Sequence, residues 1–414
     1  MSLIVMKFGG TSVGDVERIK KAAEKVVSEI QQGHKVAVVV SAMAGVTDRL
    51  EGYCSTMASQ TDYSEHDAVV SAGEQVTAGL MALALQRHGY KARSWQGWQL
   101  GLHTDAFYGK ARIKDIQASA LRQRLEWGEV AVVAGFQGVN EEDRITTLGR
   151  GGSDTSAVAL AVALKADRCD IYTDVDGVFT TDPRIVPQAT KMSRVSYEEM
   201  LELASLGAKV LQERSVEMAM RFRMPVQVLS TFEDAVGSAL PGTLVTEGTL
   251  DMEDKVVTGI AYSRNEAQIT LVRIADKPGV AAKIFAPLAR AEINVDMIVQ
   301  TASRDDGSTD LSFTIAREDH DRAFSVLEKE KGSIGYTKLL SLKNVAKISL
   351  VGIGMRSHAG VAAKMFETLA AKGINILVIE TSEINTSVLI AEEYTELALR
   401  ALHAAYGLGE EDAG

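Results

Sequence analysis

Leu3-Ile4-Val5-Met6 is a short apolar run. Lys7-Phe8-Gly9-Gly10-Thr11-Ser12 follows it, and Val16 to Lys20 then opens a helical pattern. Val36 to Val40, Val130 to Ala134, Cys169 to Thr173 and Val226 to Leu229 are further short runs rich in β-branched residues, as in strands buried on both faces. Helical patterns lie between them, most clearly Gln75 to Arg87 and Thr155 to Lys165. This alternation predicts an α/β domain over residues 1–245, with a mainly parallel sheet sandwiched by helices. Ligands in such sheets bind beyond the carboxyl ends of the strands, and the Gly- and Ser-rich loops here follow strands.

The pattern changes after Leu229. Gly237 to Thr243 is rich in turn residues, and from about residue 256 the chain repeats itself. Gly279-Val280-Ala281-Ala282-Lys283-Ile284-Phe285 returns 81 residues later as Gly360-Val361-Ala362-Ala363-Lys364-Met365-Phe366, and Ile293-Asn294-Val295 returns at the same offset as Ile374-Asn375-Ile376. Duplication explains this spacing. The first unit reads as strands Gln268 to Ile274, Met297 to Gln300, Leu311 to Ile315 and Thr337 to Leu342, with helices Val280 to Ala291 and Asp321 to Lys329, a βαββαβ sandwich. The second has strands Lys347 to Val351, Leu377 to Thr381 and Ser387 to Ala391, helices Val361 to Lys372 and Tyr394 to Tyr406, and no fourth strand of its own. Val256 to Tyr262 is expected to supply it, because a three-stranded sheet leaves an open edge. The first repeat (263–342) is then inserted within the second (250–262 plus 343–414).

Composition narrows the function. A chain of 414 residues fits two to four domains, and its 46% apolar content suffices for sizeable cores. The net charge of −11, with no Lys/Arg run against it, disfavours a nucleic-acid surface; any anion site must concentrate cations locally. Two cysteines, Cys54 and Cys169, point to a reducing compartment rather than a disulfide scaffold or a cysteine zinc site. The N-terminal apolar run is too short for a signal peptide, and no apolar run approaches the roughly 18 residues of a membrane span. A soluble cytoplasmic protein is expected.

Lys7, Gly9 and Gly10 end a strand in a cation and two glycines, a pattern suited to phosphate because backbone N–H groups and the next helix dipole face the anion. Lys7 precedes the glycines, so this is not a P-loop. In Gly149-Arg150-Gly151-Gly152-Ser153-Asp154, Ser153 or Asp154 can cap the following helix, Arg150 suits a carboxylate, and Asp154 suits a nearby lysine. Ser71-Ala72-Gly73-Glu74 places an acid in a first helical turn, fit for a ligand ammonium. Thr173-Asp174-Val175-Asp176-Gly177-Val178 and Thr180-Thr181-Asp182-Pro183-Arg184 follow a strand and suit a nucleotide shelf; Gly207-Ala208-Lys209-Val210 adds a cation. Taken singly, each of these also fits an ordinary turn, cap or solvated charge.

Together, KFGGTSV at 7–13, VSAMAGVTD at 40–48, SAGE at 71–74, GRGGSDTSA at 149–157, YTDVDGVFTTDPR at 172–184 and GAKVL at 207–211 resemble the aspartokinases of the amino acid kinase superfamily, over essentially the whole chain. The resemblance implies an amino acid kinase fold followed by two ferredoxin-like βαββαβ ACT domains. It implies transfer of a phosphoryl group from ATP with Mg²⁺ to the β-carboxylate of L-aspartate, the first step towards lysine, threonine and methionine. By the same resemblance, Lys7 stabilises the transferring group, Gly9 and Gly10 lie along the phosphates, and Asp154 orients the cations. Glu74 binds the substrate ammonium and Arg150 a substrate carboxylate, with Ser41, Thr47, Gly151, Gly152 and Ser153 around them. Thr173, Asp174, Asp182, Arg184 and Lys209 line the ATP site. A carboxylate nucleophile is already ionised, so positioning and charge neutralisation suffice, and the seven His residues fall outside the motifs.

ACT repeats imply feedback inhibition by lysine and/or threonine and homo-oligomers paired through their sheets. The expected ligand turn is Asp276-Lys277-Pro278-Gly279-Val280, facing Asn294-Val295-Asp296. Its counterpart, Ser357-His358-Ala359-Gly360, lacks both Asp and Pro and is expected to be weaker. Ser382-Glu383-Ile384 is followed by Asn385, where related chains carry Lys or Arg. Met252 is a candidate internal start for a shorter subunit. Two rivals stand beside this reading. Another small-molecule carboxylate or nucleotide kinase is disfavoured by Glu74 with Arg150 and the ACT pair. A non-catalytic amino-acid sensor is disfavoured by the intact Lys7 and Asp154.

Overall fold

The computed structural model describes every residue except 1, 58–61, 209, 234, 240–241, 249–255, 354, 356–357, 359 and 410–414. The expected Lys209, Met252, Ser357 and Ala359 lie outside the described residues. The chain divides into two compact units: Met1–Val178, Lys191–Ser205 and Lys209–Asp251 form the first, and Phe179–Thr190, Leu206–Ala208 and Met252–Gly414 the second. Residues 179–190 and 206–208, expected within the first domain, thus group with the second unit.

The first unit is built on an eight-stranded sheet in the order Arg194–Ser196, Thr243–Thr246, Val226–Ser230, Arg168–Thr173, Leu3–Phe8, Lys35–Val40, Val130–Ala134, Ala92–Trp95. Its middle is parallel, with Phe8 level with Val40 on one side and Tyr172 on the other; Thr243–Thr246 runs antiparallel to Val226–Ser230. Ile4, Met6 and Phe8 pack with Ile19, Ala23, Val26, Met81 and Leu85 from the helices Val16–Gln31 and Ala72–Arg87. Each such large side chain contributes roughly 1.5–3 kcal/mol by leaving water. Strand alternation turns Lys7 to the opposite face, where the helix Gly152–Leu164 packs against the same strand. The stretch Tyr63–Arg87 reaches the length and mean apolarity of a membrane span, although Glu65, His66, Asp67 and Glu74 interrupt it as an apolar run. It is two helices meeting at Ser71, and half of it is buried inside the protein, which accounts for its composition.

The second unit carries one six-stranded sheet, Asp296–Gln300, Ser308–Ala316, Gly259–Ala275, Lys338–Val351, Asn385–Ala391, Ile376–Thr381. The strands expected separately at 256–262 and 268–274 are one 17-residue strand, and those expected at 337–342 and 347–351 are one strand of 14 residues. The polar stretches between them read as turns, but the chain only bulges there, between Ser263 and Gln268, and runs straight on. Gly259 to Ser263 pairs with Val351 to Lys347, and Gln268 to Val272 with Leu342 to Lys338, so both repeats share two strands. Two separate cores result, one around Ile269, Ile284, Phe313 and Leu327, the other around Ile348, Met365, Val388 and Leu399.

Candidate active site

A cavity of about 280 Å³ in the first unit is lined by Lys7, Gly10, Ser41, Thr47, Glu74, Arg150, Gly151, Gly152, Ser153 and Asp154, together with Ala42 to Gly45, Asp48, Phe136 and Gly149. Segments from five separate parts of the sequence therefore meet beyond the carboxyl ends of the strands.

Lys7 and Asp154 are each 8% exposed. Lys7 Nζ lies 2.5 Å from Asp154 Oδ1, an ion pair without the alignment of a hydrogen bond. Asp154 reaches it because the helix begins earlier than the sequence suggests. Gly151 is the N-cap, in the left-handed region at φ 70°, with no side-chain cap bond, so Ser153 and Asp154 stand inside the first turn. Neither caps the helix, which leaves the Asp154 carboxylate to face Lys7. A Cβ on Gly151 would also stand 2.6 Å from Gln212 Oε1, so glycine is required there twice over.

Glu74 is 3% exposed in the first turn of Ala72–Arg87. Its Oε1 accepts the Ala42 N–H at 3.0 Å, while its Oε2 is buried with no partner. Burial pushes its carboxyl up to about 7. An unpartnered buried carboxylate oxygen lining a cavity is built to receive a cation. Gly73 lets the helix approach: a Cβ there would lie 2.6 Å from the Ala42 Cβ. Gly73→Ala is therefore expected to lower Tm by several degrees, since overpacking costs about 1–3 kcal/mol, and to weaken binding in this cavity by displacing Ala42. Thermal melts and ligand titration check it.

Arg150 is exposed, and no described residue bonds its guanidinium. Gly9 is engaged differently from Gly10: its N–H donates to the Tyr172 carbonyl at 3.2 Å, and it does not line the cavity. Thr173 and Asp174 stand at the end of Arg168–Thr173, hydrogen-bonded to each other at 3.2 Å. Asp182 and Arg184 belong to the second unit. There Arg184 grips Asp182 through Nε at 3.0 Å and Nη2 at 2.8 Å, and the Tyr262 hydroxyl donates to the same carboxylate at 3.0 Å. These contacts hold the Asp182 carboxyl below its usual range, with the Arg184 bond the largest cause. The same stretch is tied down by Thr180 Oγ1, 3.0 Å from His403 Nε2, and by Arg400 Nε donating to the Ile185 carbonyl at 3.0 Å.

In the repeats, the Asp276 carboxylate accepts from Gln300 Nε2 at 3.3 Å, and Gly279 is the left-handed N-cap of Val280–Arg290. Asn294 and Val295 lead into Asp296, whose carboxylate already pairs with the buried Lys347 ammonium.

Several positioning residues carry no motif. Buried Asp67 accepts the N–H groups of Gly109 (2.9 Å) and Thr147 (2.7 Å) and the Thr147 hydroxyl (2.8 Å), anchoring the strand that leads into Gly149. Gln137 Nε2 donates to the Ser71 carbonyl at 2.9 Å, fixing the entry to the Glu74 helix. Phe136, at φ 69°, gives its N–H to Ser156 Oγ at 3.0 Å and walls the cavity. Only strand-end placement marks Phe136 and Gln137 in the sequence; Asp67 carries no signal.

Comparison with known proteins agrees with this fold. A family model described as "Amino acid kinase family" matches residues 2–230, and one described as "ACT domain" matches residues 269–330 and 348–406. The chain is 52% identical over 410 residues to a protein of Pseudomonas aeruginosa named "Aspartokinase", covering 99% of this chain and 98% of that one. It is 47% identical over 410 residues to "Aspartokinase 2" of Bacillus subtilis, covering 99% of each. Among solved structures, E. coli aspartokinase III in complex with aspartate and ADP superposes with a TM-score of 0.81 at 28% identity, covering 97% of this chain and 99% of that one. The same enzyme with lysine and aspartate gives 0.75 at 27% identity, with the same coverage.

Proposed function

The chain belongs to the aspartokinases of the amino acid kinase family, and we propose on that footing that it transfers the γ-phosphoryl group of ATP to the β-carboxylate of L-aspartate, giving 4-phospho-L-aspartate. The observation that carries this reading is the single cavity in which the Lys7–Asp154 pair and the half-satisfied Glu74 carboxylate stand together. Glu74 Oε2 takes the α-ammonium of aspartate, and Arg150 takes a carboxylate in a two-pronged grip. Ser41 and Thr47 give hydroxyls to the substrate, and the glycine-rich start of Gly152–Leu164 presents N–H groups beside it. Lys7 follows the phosphoryl group as charge develops on it, held in place by Asp154. The substrate carboxylate needs no general base.

The nucleotide lies along Gly10, Thr173 and Asp174, with Lys209 as a further ligand. Mg²⁺ bound with the nucleotide would offset phosphate charge. Among the described residues no group of three or more His, Cys, Asp or Glu is placed to hold a metal, which suits an ion held through the phosphates of the nucleotide and one or two carboxylates. Asp154 and Asp174 are the carboxylates of this chain suited to that role.

Regulation belongs to the same reading. Lysine and/or threonine bind at Asp276 to Val280 against Asn294 and Val295, and inhibit. Because Lys347 already neutralises Asp296, Asp276 is the better acceptor for a ligand ammonium. Homo-oligomers through the ACT sheets, a shorter subunit starting at Met252 and a cytoplasmic setting complete the proposal; the free cysteines Cys54 and Cys169 fit that setting. The test is ATP turnover with aspartate, glutamate or acetylglutamate as acceptor, repeated with lysine and threonine singly and together. Turnover is expected with aspartate alone, falling when the inhibitors are added. No aspartate-dependent turnover would sink the catalytic reading, and undiminished turnover with both amino acids would sink the regulatory one.

A further inference from the structure

A second cavity in the first unit, of about 740 Å³, shares only Gly149 and Arg150 with the reaction cavity. Ligand pockets commonly fall at about 300–1,000 Å³, so it is large enough for a metabolite. Its lining includes Lys110, Arg112, Arg150, Arg214 and Arg221 against one carboxylate, Glu217. In a chain of net charge −11 this local excess of cations needs a reason.

The arrangement is built rather than incidental. Arg214, Glu217, Met218 and Arg221 recur at spacings of three and four along the helix Glu213–Phe222, so all four present one face to the cavity. Arg214 is fixed by donating from Nη1 to the Leu148 carbonyl at 2.7 Å and from Nη2 to the Ala111 carbonyl at 2.9 Å, which occupy two of its five N–H groups without neutralising its charge. No carboxylate among the described residues pairs with Lys110, Arg112 or Arg221; Arg221 lies 5.5 Å over the exposed Phe222 ring. A further observation points to a ligand. Thr155 is 1% exposed, lines the cavity, and its Oγ1 is buried with no hydrogen-bond partner. Buried hydroxyls are normally satisfied, and this one belongs to a residue of the same cation-rich cavity wall.

We propose that this cavity is a binding site for a small, multiply charged oxyanion, a phosphorylated or polycarboxylated metabolite. Arg112, Lys110 and Arg221 neutralise it, and the Thr155 hydroxyl donates to it. Guanidinium forks match phosphate and carboxylate oxygens equally, so the shared chemistry is the compact polyanion. Arg150 and Gly149 line both cavities, so an occupant here competes for the guanidinium assigned above to the acceptor.

The test is isothermal titration of the full-length protein with inorganic pyrophosphate and, separately, with citrate, at constant ionic strength. Wild type, the double variant R112Q/R221Q and the Lys7→Met variant are compared. The expected result is saturable binding that weakens at least tenfold in R112Q/R221Q and survives in Lys7→Met; whichever probe binds more tightly identifies phosphate or carboxylate as the source. Unsaturable wild-type binding, an unchanged double variant, or complete loss in Lys7→Met would overturn the proposal, the last by placing the anion in the reaction cavity. Arg112 and Arg221 are exposed, so their replacement spares the fold, and a melt of each variant verifies this. Aspartate-dependent turnover of the same double variant stays near wild type. Its absence from both proteins counts against the proposed reaction and leaves the anion result intact.

Discussion

Replacing Lys7 with methionine is expected to lower kcat by about 10³-fold or more, because the variant loses the cation that meets charge developing in the transition state. The same change strands Asp154 at 8% exposure without its partner. Removing one member of a buried pair costs about 3–5 kcal/mol, so the single variant melts well below wild type. The double variant K7M/D154N separates the two effects. It removes both charges, recovers most of the lost stability, and stays as inactive as the single variant. Steady-state turnover at saturating ATP and aspartate, with melts alongside, decides the matter; a well-folded double variant with near-normal kcat would remove Lys7 from the mechanism.

Glu74→Gln is expected to trade binding for stability. Its carboxyl is pushed up to about 7 by burial, against 4.5 for an ordinary glutamate. Between those values the native protein holds a proton that the unfolded chain has lost, so stability falls as pH rises through this window. At pH 8 wild type carries an ionised, half-satisfied buried carboxylate at a cost of about 3 kcal/mol. Glutamine keeps the bond from Ala42 N–H and escapes that cost. The variant should therefore melt several degrees higher than ligand-free wild type at pH 8, and the difference should vanish near pH 5. Without the anion to meet the substrate ammonium, KM for aspartate should rise about 100-fold, since charge-assisted hydrogen bonds contribute about 1.5–3 kcal/mol. In wild type, KM should rise as pH falls below about 7, where Glu74 takes up its proton. Equal melting temperatures at pH 8 together with an unchanged KM would rule out this role.

Much of the site is legible in the sequence because its chemistry is written locally. Anions and a zwitterionic acceptor require glycines, hydroxyls and unpaired charges in short stretches, and those stretches must end strands of a parallel sheet. Lys7, Glu74, Arg150 and Asp154 could be singled out on those grounds. What could not be read were groups with no special chemistry of their own. The Ala42 N–H that holds Glu74 belongs to an alanine, and Asp67 works by bonding three groups far along the chain. The helix begins at Gly152 because Gly151 takes a left-handed conformation, which composition does not reveal when Ser153 and Asp154 offer themselves as caps. The long strands of the second unit look broken in the sequence because their middle residues are polar; those residues bulge but stay extended.

The alternation of strand and helix, the 81-residue repeat and the motifs that hold Lys7, Glu74, Arg150 and Asp154 can be read from the chain alone, since periodicity and local motifs are properties of neighbouring residues; Asp48, which also lines the cavity, lies outside those motifs. Which charges meet depends on the folded chain. It set Lys7 against Asp154 and left one oxygen of Glu74 unsatisfied. It drew residues 179–190 into the second unit, and it gathered Lys110, Arg112, Arg150, Arg214 and Arg221 from distant segments around one cavity. The difference is one of range. Hydrophobic periodicity acts over a few residues, whereas ion pairing, desolvation and cavity shape depend on groups brought together from anywhere in the chain.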